Sequence, residues 1–202
     1  MRGSARVWFA TSNDHKYEEA SYVLTSLGIG IGRLPSKGDE LQSEDPSEIA
    51  MHAAKAAYTE YRRPLFVEDT GLFIGTLGGF PGTSASYVFK TVGQRGVLRL
   101  MEEAADRHAE FISAVAYSDG HSRPKVFTGR LSGTIARRSL GQKGFGFDPI
   151  FIPQGGGVTL AQLDMRQKCQ ISHRAVALKS LASWLNREKS RQPLSAQSRR
   201  PG

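Results

Sequence analysis

Val7-Trp8-Phe9-Ala10 is a short apolar run that gives way at once to six polar residues, Thr11-Ser12-Asn13-Asp14-His15-Lys16. Beyond them a helical period places Tyr17, Ala20, Val23, Leu24 and Leu27 on one side. A strand feeding a helix is the natural reading. Gly28-Ile29-Gly30-Ile31-Gly32 breaks the helix and opens a second strand. Asp45-Pro46-Ser47-Glu48 carries the N-cap and first-turn acid of another helix, running to about Tyr61, and Pro64 ends the connection. Leu65-Phe66-Val67 predicts a third strand that closes on Glu68-Asp69, before a tight, loop-rich stretch marked by Gly71, Gly75, Gly78, Gly79, Pro81 and Gly82. Helical spacing returns from Ser84 to Ala105, broken near Gly93 to Gly96. The period then changes to two: Phe111 to Tyr117 and Lys125 to Ala136 read as long strands joined at Asp119-Gly120. A short strand at Ile150 to Ile152 and a last helix from about Ser172 to Asn186 complete the pattern. Crossover helices together with a strand pair predict an α/β fold with a mixed sheet.

The 202 residues fit one domain, expected to span residues 1–185. No apolar run approaches the ~18 residues of a membrane span, and the N-terminus has no apolar core followed by a small-residue cleavage site, so the expected location is cytoplasmic. The single cysteine, Cys169, cannot form an internal disulfide. Of the net charge of +8, the segment 186–202 supplies five Lys/Arg against one Glu, or +4. We read that segment as a basic, disordered tail that is solvated rather than bound to nucleic acid. The mildly basic remainder suits a phosphate-rich ligand.

Several groups of residues could carry chemistry, each with an ordinary structural alternative. Thr11, Asn13 and Lys16 sit where a strand hands over to a helix, so backbone N–H groups, a hydroxyl, an amide and an ammonium would face a crevice suited to phosphate; an Asn cap beside a solvated lysine is the alternative. Glu68 and Asp69 could together hold a hard divalent cation, but alternation along a strand sends them to opposite faces unless the strand ends there. Lys143 to Pro149 places glycines between Phe145 and Phe147, room for a flat base against a ring with Asp148 accepting from ring or sugar, or else an ordinary turn over the core. His173 and Arg174, preceded by Lys168, stand at the start of the last helix.

Taken in order, FATSNDHK, VEDTGL, LGGFPG, GFGFDPIF and QISHRAVAL resemble the inosine-triphosphate pyrophosphatase family, hydrolases of non-standard purine nucleotides, over about Val7 to Leu185. The resemblance implies an elongated mixed sheet bent between two lobes, flanked by helices, with the substrate cleft between them, usually in a homodimer. It implies Thr11, Asn13 and Lys16 as triphosphate ligands, and Glu40 and Asp69 as carboxylates around Mg²⁺; Glu68 stays a metal candidate from its place beside Asp69. It further implies Phe145, Phe147 and Asp148 for base and sugar, Lys168 for phosphate or base, His173 with Arg174 for a 6-keto edge, and Lys55 as a phosphate lysine on the second helix. Asp69 would be general base or the ligand orienting the attacking water, assisted by Lys16. The sequence departs from relatives at Ser84, Ala85 and Gln167-Lys168-Cys169, which bears on substrate preference. The rival readings are a Maf-like pyrophosphatase of other base preference, against which Ser172-His173-Arg174 speaks, and a protein that binds nucleotide or nucleic acid without turnover.

Overall fold

A computed structural model describes residues 6–36 and 41–191. Glu40 and residues 192–202 therefore lie outside the described residues. The chain runs β1 (Arg6–Ala10), α1 (Asp14–Ser26), β2 (Gly30–Leu34), α2 (Pro46–Tyr61), β3 (Leu65–Ile74), β4 (Pro81–Gly82), α3 (Ala85–Thr91), α4 (Gly93–Leu100), β5 (His108–Ser118), β6 (Lys125–Ile135), β7 (Phe151–Pro153), α5 (Met165–Ile171) and α6 (His173–Arg191). These strands form one mixed sheet in the order β2-β1-β3-β5-β6-β7, with β4 paired to β3. β1 lies parallel to both β2 and β3, and the remaining pairs are antiparallel. The expected α/β fold with a mixed sheet is what forms. No helix among the described residues is long and apolar enough to cross a membrane.

Local chemistry explains the helix starts. Asn13 accepts from Lys16 N at 3.0 Å to cap α1, and Asp45 accepts from Ser47 N at 2.8 Å to cap α2, with Pro46 in the first turn where its missing N–H costs nothing. Three elements differ from the sequence expectation. The last helix continues to Arg191, so the expected tail boundary at residue 186 falls inside α6. The helix α5 was not expected; it is only seven residues long and is set by a reciprocal cap between Asp164 and Gln167.

The third difference decides the site. β3 does not close on Glu68-Asp69 but runs five residues further, held in register with β5 from Leu65↔Ser118 to Ile74↔Ala109. Gly71 is therefore a strand residue rather than a turn. The Phe73 ring lies over it, so close that a Cβ would sit 2.5 Å from a ring carbon, the close approach for which a strand glycine is suited.

Because β3 and β5 are long, they pass through more than one apolar core. At one end, Phe66, Val115 and Tyr117 pack under α1 and α6, while Leu65, Val67, Ala114 and Ala116 pack under α2 on the opposite face. At the other end, Leu72, Ile74 and Phe111 pack with Val88 of α3, Val97 of α4, Phe147 and Phe151. Between these cores, at mid-strand, stand Glu68, Asp69, Thr70 and Ser113.

Candidate active site

The strand order creates the crevice. α1 carries the chain from β1 to β2 on one side, and α2 carries it back across β1 to β3 on the other, so the crossovers diverge at the carboxyl ends of β1 and β3. In open α/β sheets such a switch point leaves a groove outside the strand ends. The β1–β3 pairing involves Trp8↔Leu65 and Phe9↔Phe66, and β4 joins the same edge of β3 only at Leu72. Glu68 and Asp69 thus lie along the open stretch, and the Thr11–Lys16 turn fills its mouth. That turn is pinned: Asn13 N donates to Thr11 Oγ1 at 3.1 Å, Arg33 Nε donates to the Thr11 carbonyl at 3.0 Å, and Ser12 Oγ donates to the Ser36 carbonyl at 2.8 Å.

On the α1/α6 side the crevice floor is a buried ion network. Lys16 Nζ lies 2.9 Å from Glu68 Oε2 and donates to the Glu68 carbonyl at 3.3 Å. Arg174 reaches Glu68 through Nε at 3.1 Å, Glu19 through an Nη at 2.5 Å, and Thr70 Oγ1 at 3.3 Å. Lys168 Nζ contacts Glu19 at 2.6 Å and Asp148 at 2.5 Å. Glu68 also accepts from Ser113 Oγ at 2.6 Å and from Thr70 Oγ1. Three cations, Lys16, Lys168 and Arg174, thus answer three carboxylates, Glu19, Glu68 and Asp148. Burial raises the Glu19 pKa, but Arg174 and Lys168 outweigh it and bring the group to about 2. Burial likewise opposes ionisation of Glu68, and Arg174 and Lys16 more than reverse it, leaving the carboxyl well below the ordinary carboxylate range.

No ion pair reaches the Asp69 carboxylate among the described residues. It points to the α2 face, its strand partner across β5 is Ala114, and its Oδ2 is buried with no hydrogen-bond partner among the described residues. Burial pushes its pKa up to about 6; Lys16 pulls the other way and the neighbouring Glu68 charge adds to the rise. A carboxylate perturbed by burial beside a crevice is the kind of group that acid–base chemistry or a cation exploits.

The loop before β7 closes the crevice. Phe145 is half-buried, with Lys168 Nζ 5.0 Å and Arg174 Cζ 5.3 Å from its ring centroid, and the His15 ring stacks on it at 5.1 Å. Asp148 is spent within the protein, accepting from Phe145 N at 2.8 Å as well as from Lys168. Gly144 permits this, since a Cβ there would collide with the Asp148 carboxylate. Phe147 turns into the core, edge-on to Phe89. His173 is buried and stacked on Phe111 at 4.6 Å, and its Nδ1 has no hydrogen-bond partner among the described residues; burial holds its pKa well below the usual value, so the ring is neutral.

The structure therefore gathers Lys16, Glu68, Phe145, Asp148, Lys168 and Arg174 on the α1/α6 side, with Thr11 and Asn13 at the rim, and sets Asp69 on the opposite face of β3, where the charges of Lys16 and Arg174 still act on it. Lys55 stands exposed on α2, and no hydrogen bond or ion pair joins it to this group among the described residues. Glu68 and Asp69 face opposite sides of the sheet, which corrects the expectation that both reach one site from a strand end. Sequence reasoning missed Glu19, which bridges Lys168 and Arg174, although its spacing three residues after Lys16 was a signal. It also missed Gln94, whose Nε2 donates to the Gly146 carbonyl at 2.7 Å while its Oε1 accepts from Ser139 at 2.8 Å. For the implied Mg²⁺, the unpartnered Asp69 oxygen is the fitting donor, because this ion takes oxygen ligands and keeps waters and phosphate oxygens for the rest. Glu68, already held by two cations, is a poor one. Among the described residues no three His, Cys, Asp or Glu side chains gather around a common point.

Known proteins resemble this chain over most of its length. Residues 7–184 match the model of the Ham1 family. The chain is 46% identical over 179 residues to the dITP/XTP pyrophosphatase of Methanopyrus kandleri, covering 89% of this chain and 95% of that protein. It is 42% identical over 180 residues to the protein of the same name from Thermococcus kodakarensis, covering 89% and 97%. Among solved structures, a HAM1 protein from Coxiella burnetii superposes with a TM-score of 0.79 at 29% identity, covering 91% of this chain and 99% of that one. The dITP/XTP pyrophosphatase of Mycobacterium abscessus gives 0.69 at 29% identity, covering 87% and 98%. With nearly the whole chain matched in both sequence and fold, this protein belongs to the Ham1 family.

Proposed function

We propose that the chain hydrolyses non-standard purine nucleoside triphosphates, dITP, ITP and XTP, to the monophosphate and pyrophosphate with the aid of Mg²⁺. The observation that carries this reading is Asp69, a buried carboxylate with one oxygen that no hydrogen bond satisfies among the described residues, beside a crevice whose mouth is the Thr11–Lys16 turn. The names of the relatives support the substrate class.

In this reading the triphosphate lies against the Thr11–Lys16 turn, where N–H groups at the start of α1 and the Lys16 ammonium offset its charge. Bound Mg²⁺ supplies further neutralisation of the phosphate chain. Asp69 accepts the proton of the water that attacks the α-phosphorus, a task suited to a carboxyl poised near neutral pH. Phe145 offers a ring to the base. Of Arg174's five N–H groups, three are engaged by Glu68, Glu19 and Thr70, leaving two for a 6-keto oxygen. Adenine presents an amino donor there, so it would leave buried donors facing donors. Asp148, Lys168 and Phe147 then serve by holding the loop and Phe145.

The reading includes cytoplasmic residence and a homodimer, the latter supported by the exposed Tyr87 and Val92 of the α3 region. Light scattering at micromolar concentration tests the dimer; a monomer mass counts against it. Deletion of residues 192–202 is expected to leave activity intact. The reading itself is tested by pyrophosphate release from ITP, dITP, XTP, GTP and ATP, with and without Mg²⁺. Metal-dependent release from the 6-keto substrates ahead of ATP is expected, and nucleotide binding without release would refute it.

A further inference from the structure

A second basic pocket lies away from this crevice, at the far end of β5. It is lined by Arg95, Leu98, Arg99, Glu102, Arg107 and Arg137 and has a volume of about 290 Å³. Arg95 and Arg99 lie one turn apart on α4, Arg107 precedes β5, and Arg137 follows β6. The α4 segment, the turn into β5 that follows it, and the distant residue Arg137 thus bring four guanidinium groups around one cavity.

Arg95, Arg99 and Arg137 have no carboxylate partner among the described residues, and Glu102 is the single acid in the lining. Arg107 is fixed by carbonyls rather than by acids: Nε donates to Ile135 at 2.7 Å, one Nη to Ala136 at 2.9 Å, and the other to Met101. That arrangement locks a positive charge in position without cancelling it. Burial and the neighbouring Arg137 both lower the Arg107 pKa, the electrostatic trace of like charges held close. Repulsion of this kind is a standing cost to the fold unless an anion removes it. Arginine in particular suits phosphate, because its planar fork meets two oxygens at once.

We propose that this pocket is a second anion site, separate from the candidate active site, that takes a polyphosphate group. The cavity lies at the low end of the range of small-molecule pockets, which suits a short phosphate chain rather than a whole nucleotide enclosed with its base. Such a chain could come from inorganic pyrophosphate or from the phosphate end of a nucleotide whose base stays outside. Bound across Arg95 and Arg99 on one side and Arg107 and Arg137 on the other, it would tie α4 to the segment after β6. Gln94 and Ser139 in those same segments already bond to one another, and Gln94 also donates to the Gly146 carbonyl.

The test is pyrophosphate binding by calorimetry to the full chain carrying Lys16→Gln, which weakens the crevice for phosphate, and to the same chain carrying also Arg99→Gln and Arg137→Gln. The first is expected to bind pyrophosphate, and the second at least tenfold more weakly. Equal binding by the two, or none by the first, overturns the site. In the unsubstituted protein, the arginine Nε–Hε resonances of Arg95, Arg99 and Arg137 are expected to shift on pyrophosphate addition; their failure to move overturns the site independently of how the variants fold. Repeating the titration with ITP, without divalent metal and on the chain carrying Asp69→Asn so that no pyrophosphate is released, separates the sources. Matching shifts assign the nucleotide's phosphate end as a ligand, and shifts with pyrophosphate alone assign the inorganic ion.

Discussion

The two faces of β3 treat adjacent carboxylates in opposite ways. On the α1/α6 face Glu68 meets Lys16, Arg174, Ser113 and Thr70, and stays ionised far below the ordinary range. On the α2 face Asp69 has an apolar partner across the strand and an unpartnered oxygen, and its pKa rises to about 6. The difference separates structure from chemistry. Glu68 closes a charge-balanced network that orients Arg174 and Lys16, whereas Asp69 is held at a cost to the fold and kept available.

The largest expected effect attacks the Glu68 side. Glu68→Gln leaves Arg174 and Lys16 without their shared anion, and breaking one partner of a buried pair costs about 3–5 kcal/mol. Urea unfolding at pH 7 checks this; a midpoint equal to that of the parent would break the comparison. The next effect concerns Asp69. Asp69→Asn is expected to lower kcat at least about a hundredfold, roughly 2.7 kcal/mol of barrier. The same change should not lower the melting temperature at pH 8, and should raise it. The sign follows from the raised pKa: the neutral carboxyl favours the fold, so stability is full below the ordinary pKa of 3.8 and falls as pH rises through about 6. Melting curves at pH 5 and pH 8 should show the variant gaining on the parent at both, and more at the higher pH.

A third prediction sharpens the functional half of the contrast. The kcat/KM for ITP should rise with pH along an acid limb centred near 6. Arg174→Ala would cost stability as Glu68→Gln does, and in any folded fraction should cut the preference for ITP over ATP at least about tenfold. An unchanged ratio of the two rates would remove Arg174 from base selection. The smallest effect is that of Gln94→Ala, which frees the Gly146 carbonyl and should raise KM a few-fold with little change in kcat.

Much of this was legible in the chain. The polar turn after Val7-Trp8-Phe9-Ala10, the caps at Asn13 and Asp45, and the change of period at Phe111 follow from local chemistry, and local chemistry decides them in the structure too. The ordered motifs pointed to the family, and Lys16, Phe145, Lys168 and Arg174 lie against one another, with Asp69 on the other face of the same strand. What was not legible depends on partners far away in sequence. Gly71 reads as a turn because its reason for being glycine, the ring of Phe73, is visible only when β5 holds the strand straight. Glu19 reads as one more acid on a helix until α6 brings Arg174 against it across 155 residues. Asp148 and Phe147 read as ligands of the base, yet the loop folds them inward, one onto Lys168 and the other against Phe89. Seven residues were too few for α5 to show a period, though the Asp164–Gln167 cap was there to be read.

Carboxyl ¹³C NMR of the substrate-free protein, titrated from pH 8 down to the onset of acid unfolding, puts the two residues side by side in one sample. The Asp69 carbon should move with a midpoint near 6 while the Glu68 carbon stays at its ionised shift throughout. Two carbons titrating together in the ordinary range around 4 would mean that the sheet faces do not differ, and the assignment of chemistry to Asp69 would fall with them.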